Sequence, residues 1–381
     1  MTDTSQKRIL WIDEFKGFVL LLVCLFHAEQ SFKYIDMGMG ALSVMRMTAF
    51  FFISGVLFSS RRFNDFKSYA RHRTKVLLIP YILLSLLFLA LDPVVWNFDF
   101  FPKAPKMTLM NIRPEIATLG DYIRWNLVKI FAVGKSSIGS GPLWFVFTLY
   151  SISLIFFALF SLLKKIRSTR LQKVYTFLLA AAFLAVGWIM SKYNIRTPLG
   201  LERDCTCLAF FMLGFLAKEP LGKLENLAGV KSTLAISVGT VATLTLYFII
   251  DEEYIWFSVM NNSLGKNFFR FAGSSLLGIA GLVGLFKLLS RIPENAPLRI
   301  FKGILRNISR NGLIVLAVHW WVLLVLRIVF KEELDKPYIA YICIPVTALF
   351  VIAAIPLFRC RLYQLIGKEK ISIRESLSIR G

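Results

Sequence analysis

The stretch WIDEFKGFVLLLVCLFHAEQ, residues 11–30, decides the fold class of the chain. Its polar start carries Lys16, and the apolar run that follows contains His27. At about 3.6 residues per turn, eleven residues make almost three turns, so both side chains lie on one helix face, about 16 Å apart along the axis. The pattern predicts a membrane helix with a basic group at one edge and an imidazole inside it. A histidine that only packs in an apolar helix is the alternative, and the stretch alone leaves it open.

Composition extends this prediction to the whole chain. Of its 381 residues, 56% are hydrophobic, the mean hydropathy is +0.64, and apolar runs of about 20 residues recur throughout. We therefore predict an all-α polytopic membrane helical bundle that forms one domain over residues 1–381. The net charge of +22 falls between the apolar runs, which is typical of a topology signal and not of a nucleic-acid partner. The cysteines lack metal-ligand spacing, so no metal site is predicted.

The apolar runs predict about ten transmembrane helices, at residues 15–34, 40–59, 76–95, 143–163, 174–192, 204–218, 232–250, 268–289, 312–330 and 337–358. Loops after the even-numbered helices are rich in Lys and Arg, which places both termini in the cytoplasm. Residues 359–381 then form a cytoplasmic basic tail, and residues 96–142 form a long extracytoplasmic loop. Such a loop is either a lid or binding element or a tolerated surface insertion.

Ionisable residues inside the predicted spans are candidates for function, because they are costly in a membrane. Arg46 lies about six residues into the second span, at a depth similar to that of His27 in the antiparallel first span. A neutral imidazole is the usual general base near neutral pH, and an arginine at the same depth can stabilise an oxyanion. His319, in the ninth span, suits a packing or supporting role as well as contact with a substrate.

A basic cluster precedes the third span. It consists of Arg61, Arg62, Lys67, Arg71, Arg73 and Lys75. Topology explains such a cluster as well as phosphate binding does, although Arg and Lys suit a nucleotide with several phosphates. The chain has no P-loop sequence, so ATP hydrolysis is not predicted. Trp144, at the external start of the fourth span, is typical of an interfacial belt or of a residue that stacks on a sugar.

Several segments carry a family resemblance in their order along the chain. They are IDEFKGFVLLLVCLFH (12–27), RMTAFFFISGVLF (46–58), LLIPY (77–81), GPLWF (141–145), FFMLGFLA (210–217) and ISRNGLIVLAVHW (308–320). Together they resemble the membrane acyltransferase-3 family, and the second segment is most similar to the branch that modifies osmoregulated glucans. Lys16 stands where many members carry Arg, which keeps the charge but loses the planar fork.

The resemblance implies transfer of an acyl group, acetyl first and succinyl second, from cytoplasmic acyl-CoA to a hydroxyl of a cell-envelope or exported carbohydrate. Lys16 and His27 are the implied functional pair. Acyl-CoA is then a co-substrate, and no tightly bound cofactor is implied. The implied location is a bacterial plasma (inner) membrane. Besides acyl-CoA, the implied partners are the carbohydrate acceptor, membrane lipid, and envelope-glycan assembly proteins or a second copy of the chain.

These observations combine into one hypothesis for the site. The cluster Arg61, Arg62, Arg71, Arg73 and Lys75 binds the CoA phosphates, with Lys16 near the entry. A pantetheine arm of about 15–20 Å brings the thioester to His27, which acts as general base. Arg46 stabilises the oxyanion, while Trp144 and His319 contact the acceptor. The alternatives are a transporter that exports a glycan or glycolipid precursor without acyl chemistry, and a non-catalytic membrane partner of an envelope polymerase.

Overall fold

The computed structural model describes residues 9–96, 116–135, 137–250 and 257–371. These ranges form helices and short connections, with no β-strand among them. The helices are α1 (Leu10–Ser31), α2 (Ser43–Val56), α3 (Phe66–Arg73), α4 (Ile79–Trp96), α5 (Leu119–Ala132), α6 (Trp144–Leu163), α7 (Thr169–Lys192), α8 (Leu201–Asn226), α9 (Val230–Ile250), α10 (Phe268–Leu289), α11 (Ala296–Arg310), α12 (Gly312–Val329) and α13 (Tyr338–Cys360). A π-helical turn, Thr74–Leu78, joins α3 to α4 in one continuous helix.

Eight of the described helical stretches are long and apolar enough to cross a membrane. They begin at Phe66, Gly141, Thr169, Pro198, Val230, Phe268, Gly312 and Tyr338. The chain is therefore an all-α polytopic membrane protein, as the sequence predicts. The first two predicted spans are not among the eight: α1 begins with several charged residues, and the 14 residues of α2 cover only about 21 Å. The count of ten and the cytoplasmic placement of the termini stay predictions.

Two predicted segments differ in extent from the observed ones. The sixth span was expected at 204–218, but α8 runs from Leu201 to Asn226 because the helix continues through Pro220 into polar residues. The predicted loop 96–142 contains the helix α5, which begins at a capping box formed by Thr118 and Asp121. Residues 97–115 of that loop lie outside the described residues. A run of apolar residues marks only the apolar part of a helix, so it does not predict the polar turns that extend the helix beyond that part.

Glycines let the central helices touch through their backbones. A Cβ at Gly55 of α2 would lie 1.9 Å from the Phe211 carbonyl oxygen, and one at Gly214 of α8 would lie 1.8 Å from the Phe52 carbonyl oxygen. Gly17 of α1 approaches the Leu305 carbonyl of α11 as closely. Small residues at such crossings are the usual basis of helix packing in membranes. The α2–α8 pair is therefore closely packed, and α1, α6, α7 and α10 pack against one or the other of these two helices.

The bundle has two ends, which we call the basic end and the loop end. The basic end holds the start of α1, the start of α12 and the segment 361–371. The loop end holds the connections 32–42, 116–140, 193–200, 257–267 and 330–337. By the charge rule applied to the sequence, the basic end is predicted to be cytoplasmic and the loop end extracytoplasmic.

The C-terminal segment 363–371 closes the basic end. Ile366 packs with Ile314 at the start of α12, and Gly367 lies so close to the π-helical turn that a Cβ there would be 2.5 Å from the Lys75 carbonyl oxygen. The Lys368 ammonium donates a hydrogen bond to the Arg310 carbonyl. The segment therefore connects the basic cluster before α4 with the junction of α11 and α12.

The α2–α8 contact makes a stability prediction. Gly55→Ala and Gly214→Ala should each lower the melting temperature in detergent by several degrees, because overpacking costs about 1–3 kcal/mol. Gly273→Ala is the matched control, since a Cβ at that position in α10 meets no atom within 4 Å. It should be neutral or stabilising, because Ala is better than Gly in a helix by about 0.5–1 kcal/mol. Equal melting temperatures for all three variants would contradict the close crossing.

Candidate functional site

A pair of histidines joins α1 to α12 near the loop end. His27 Nδ1 lies 2.9 Å from His319 Nε2, and the two rings are nearly parallel, with centroids 5.2 Å apart. His319 is 2% exposed, whereas His27 is half-buried. The structure therefore brings together the two histidines that the sequence places in different apolar helices.

The hydrogen bonds of this pair fix the proton positions on both neutral rings. His319 Nδ1 lies 2.8 Å from the Val315 carbonyl oxygen, which can only accept, so Nδ1 of His319 carries the proton. Its Nε2 is then an acceptor, and His27 must donate to it from Nδ1. The proton of neutral His27 is thus held on Nδ1, which leaves the Nε2 lone pair of His27 available as a base.

Trp320 links the histidine pair to the segment 137–140. Its ring lies 4.8 Å from the His27 ring, measured between centroids, and its Nε1 donates a hydrogen bond of 2.6 Å to the Ile138 carbonyl. A Cβ at Gly141 would lie 2.6 Å from Trp320 Nε1. Glycine at this position therefore allows the chain to pass directly over the indole beside His27.

Asp92 of α4 holds the other side of the same segment. Its Oδ2 accepts a hydrogen bond of 2.7 Å from the Tyr122 hydroxyl, and its Oδ1 accepts one of 3.2 Å from the Gly139 N–H. The Tyr122 hydroxyl in turn accepts from the Ile138 N–H at 3.4 Å. Asp92 is only 1% exposed. A buried carboxylate therefore positions the backbone that covers Trp320 and His27.

Arg46 lies beside the histidine pair but points its guanidinium elsewhere. The guanidinium carbon is 3.8 Å from the centroid of the Phe26 ring, and Nη1 donates a hydrogen bond of 3.0 Å to the Met39 carbonyl. Glu29 accepts hydrogen bonds from the Met37 and Met39 N–H groups. Arg46 and Glu29 thus hold the connection between α1 and α2 from two sides. These contacts do not test whether Arg46 stabilises an oxyanion, so that role stays a prediction.

Trp144 begins α6 and is buried. Its ring lies 6.3 Å from that of Phe51, and the Arg203 guanidinium is 5.4 Å from its centroid. The indole therefore faces protein groups, and its predicted contact with an acceptor sugar stays a prediction.

The predicted donor residues lie at the basic end. Arg61, Arg62, Arg71 and Lys75 are exposed, while Arg73 donates from Nε to the Tyr69 hydroxyl at 2.9 Å. Lys16 is half-buried in α1. Loss of hydration and the charges of Arg359 and Lys16 lower the pKa of Lys368 to about 8. Lys16, Arg359 and Lys368 thus form a second group of cations, which the C-terminal segment connects to Lys75.

A cavity of about 1300 Å³ also opens at the basic end, but it lies on the wrong side of α1 to lead to His27. Trp11 and Glu14 of α1 line it. At 100° per residue, these side chains lie about 140–160° around the helix from His27. Charged residues in its wall are paired, as in the 2.7 Å contact between Lys287 and Glu225. The face of α1 that carries Lys16 and His27 thus lies opposite to this cavity.

Sequence reasoning missed three parts of this arrangement. Asp92 stands inside an apolar run, so the rule applied to Arg46 could have found it. The contact of Trp320 with Ile138 leaves no sequence signal. The role of Lys368 depends on how the C-terminal segment folds back, and composition identifies that segment only as basic.

The arrangement defines a class: a polytopic helical membrane protein with a hydrogen-bonded histidine pair between α1 and α12. Residues 9–358 match the family model Acyl_transf_3, described as an acyltransferase domain. The chain belongs to this acyltransferase family. Comparison with curated proteins gave no match, and comparison with solved structures gave none.

The Asp92 network predicts local protection of the segment 137–141. Asp92→Ala should speed hydrogen exchange of the Ile138 and Gly139 amides about 10- to 100-fold, because buried hydrogen bonds to a carboxylate contribute about 1–3 kcal/mol. Exchange measured by mass spectrometry would report this change. Asp335→Ala removes an exposed acid at the same end and should leave the segment protected. Unchanged exchange in Asp92→Ala would contradict the anchoring role.

Proposed function

We propose that the protein transfers an acyl group from cytoplasmic acyl-CoA to a hydroxyl of a cell-envelope or exported carbohydrate. Acetyl is the first candidate for the acyl group and succinyl the second. The enzyme is then an O-acyltransferase of the bacterial inner membrane, with His27 as its general base. One observation carries the proposal: the chain from Val315 through His319 to His27 leaves a basic nitrogen at His27 Nε2.

The proposed reaction moves one proton and exchanges one bond. His27 Nε2 accepts the proton of the acceptor hydroxyl as its oxygen attacks the thioester carbonyl carbon. The carbon–sulfur bond then breaks, and the CoA thiolate receives the proton from His27. The products are the carbohydrate ester and free CoA, and His27 returns to its starting state.

His319 is a positioning residue in this scheme. It accepts from His27 Nδ1 and thereby keeps the lone pair on Nε2, in the way that the aspartate of a serine-protease triad orients its histidine. It also stabilises the positive charge of His27 once His27 is protonated. The Val315 carbonyl holds the proton of His319 on Nδ1, so His319 Nε2 remains an acceptor for His27.

The donor reaches His27 along α1 in this proposal. Lys16 and His27 lie about 16 Å apart along the axis, which matches the reach of an extended pantetheine arm. The CoA phosphates bind at the basic end, to the predicted cluster of Arg61, Arg62, Arg71, Arg73 and Lys75 and to Lys16. We add Arg359 and Lys368 to this set, because their charges converge near Lys16.

The general base is tested by replacing His27. With purified protein, acyl-CoA and cell-envelope glycans, His27→Ala should reduce thioester consumption about 10²- to 10⁴-fold, the usual contribution of a general base. Gln30→Ala is the matched control, since Gln30 is an exposed residue of the same helix. Gln30→Ala should keep the wild-type melting temperature, whereas His27→Ala should fold but melt at a lower temperature, because the buried His319 loses its hydrogen-bond partner. Full activity of His27→Ala would overturn the mechanism. A wild type that consumes no thioester would favour a transporter.

The positioning role of His319 predicts rescue by a hydrogen-bond acceptor. His319→Ala should reduce kcat because His27 loses its partner, whereas His319→Gln offers an amide oxygen to His27 Nδ1 and should recover part of the loss. The KM values should change little in either variant. Equal kcat values for the two variants, at equal melting temperatures, would show that His319 only fills space.

A further inference from the structure

Four cations from separate segments converge at the loop end. Lys129 lies on α5, Lys135 follows it, Arg196 lies in the connection 193–200, and Arg203 lies on the first turn of α8. We call these four residues the loop-end cation cluster. None of them has a part in the mechanism above.

Arg203 is the most deeply buried member. It is 1% exposed, and its Nη2 donates a hydrogen bond of 3.2 Å to the Val133 carbonyl. Its Nε lies 3.8 Å from Asp204 Oδ1 and makes no hydrogen bond within the described part of the chain. The buried Arg196 Nη1 likewise has no hydrogen-bond partner among the described residues. A buried donor atom without an acceptor is costly, so the unused Nη1 of the half-buried Arg196 points to a ligand that accepts from it.

Lys135 is the centre of the cluster. Its ammonium donates a hydrogen bond of 3.0 Å to the Asn261 side-chain oxygen. Burial and the charges of Lys129, Arg203 and Arg196 hold the pKa of Lys135 well below its usual range. No described carboxylate offsets these effects at Lys135. An anion at this position would restore the charged form of the lysine.

The carboxylates of the surrounding segments already have partners, and one of them, Asp204, pairs with Arg203 of the cluster itself. Asp92 accepts from Tyr122 and Gly139. Glu202 accepts hydrogen bonds from the N–H and hydroxyl of Thr197. Asp204 offsets the charge of Arg203, so the positive charge that remains comes mainly from Lys135 and Arg196. Their donors are the types that bind phosphate and carboxylate groups.

The cluster adjoins the histidine pair through the segment 137–140. Lys135 and Ile138 are three residues apart, at most about 11 Å of chain. Ile138 is bonded to Trp320, whose ring contacts His27. A molecule with its hydroxyl at His27 can therefore extend along this segment to Lys135.

We propose that Lys135, Arg196 and Arg203 bind an anionic group of the carbohydrate acceptor, a phosphate or a carboxylate close to the hydroxyl that is acylated. The substrate is then an anionic glycan and not a neutral one. This proposal rests on the proposed function, because it names the acceptor of that reaction. We assign the anionic group to the acceptor because, in the proposed function, acyl-CoA enters from the basic end and the cation cluster lies at the loop end.

Two acceptors that differ only in charge test the proposal with the full-length protein. The probes are a neutral oligosaccharide and the same oligosaccharide carrying a phosphate ester, each assayed with acetyl-CoA and with succinyl-CoA. Lys135→Gln and Arg196→Gln should raise the KM for the phosphorylated acceptor about tenfold, as expected for the loss of one charge-assisted hydrogen bond. The KM for the neutral acceptor should not change. Lys192→Gln, an exposed cation at the end of α7, is the matched control and should behave as wild type.

A binding measurement separates this proposal from the proposed function. Inorganic phosphate should raise the melting temperature of the wild type and of Lys192→Gln, and it should not raise that of Lys135→Gln. If phosphate raises the melting temperature as expected but no acceptor is acylated, the anion site is supported and the proposed acyl transfer is contradicted. Equal effects of the variants on both acceptors would overturn the proposal. An effect that occurs only with succinyl-CoA would also overturn the proposal, because the anion would then belong to the donor. So would a phospholipid that copurifies with the wild type and is lost in Lys135→Gln, because the cluster would then bind lipid.

Discussion

The hydrogen bond between His27 and His319 is the contact on which the rest of the site depends. It connects the first helix with the twelfth, and its direction is set by a third group, the Val315 carbonyl. In a low-dielectric interior such a chain is strong because each bond polarises the next. The same chain decides which nitrogen of His27 is basic. One contact between α1 and α12 therefore also sets the position of a proton on His27.

Around this contact, the backbone of residues 137–141 acts as the wall of the site. It is held by Asp92 and Tyr122 from one side and by Trp320 from the other. The segment borders two environments: an aromatic one around His27 and a cationic one around Lys135. Glycines at positions 139 and 141 allow both sides to approach the chain closely. The segment between α5 and α6 is thus held by hydrogen bonds to side chains of α4 and α12.

The sequence predicts much of the fold and only part of the site. Apolar runs identify the membrane helices, because hydrocarbon imposes a length and a composition on each of them. The spacing of Lys16 and His27 predicts their common face, since helical periodicity is local. The pairing of His27 with His319 is not local: 292 residues separate them, and only the packing of α1 against α12 brings them together. For the same reason the sequence gives no hint that Lys129, Lys135, Arg196 and Arg203 converge.

That separation along the chain has a consequence for biosynthesis. At about 5–20 residues per second, the ribosome needs about 15–60 s to add the 292 residues between the two histidines. During this time His27 lacks its later partner. The start of α12 also packs on Ile366, so the basic end closes only after Ile366 has been made. The helix that carries His27 is thus synthesised long before the helix that provides its partner.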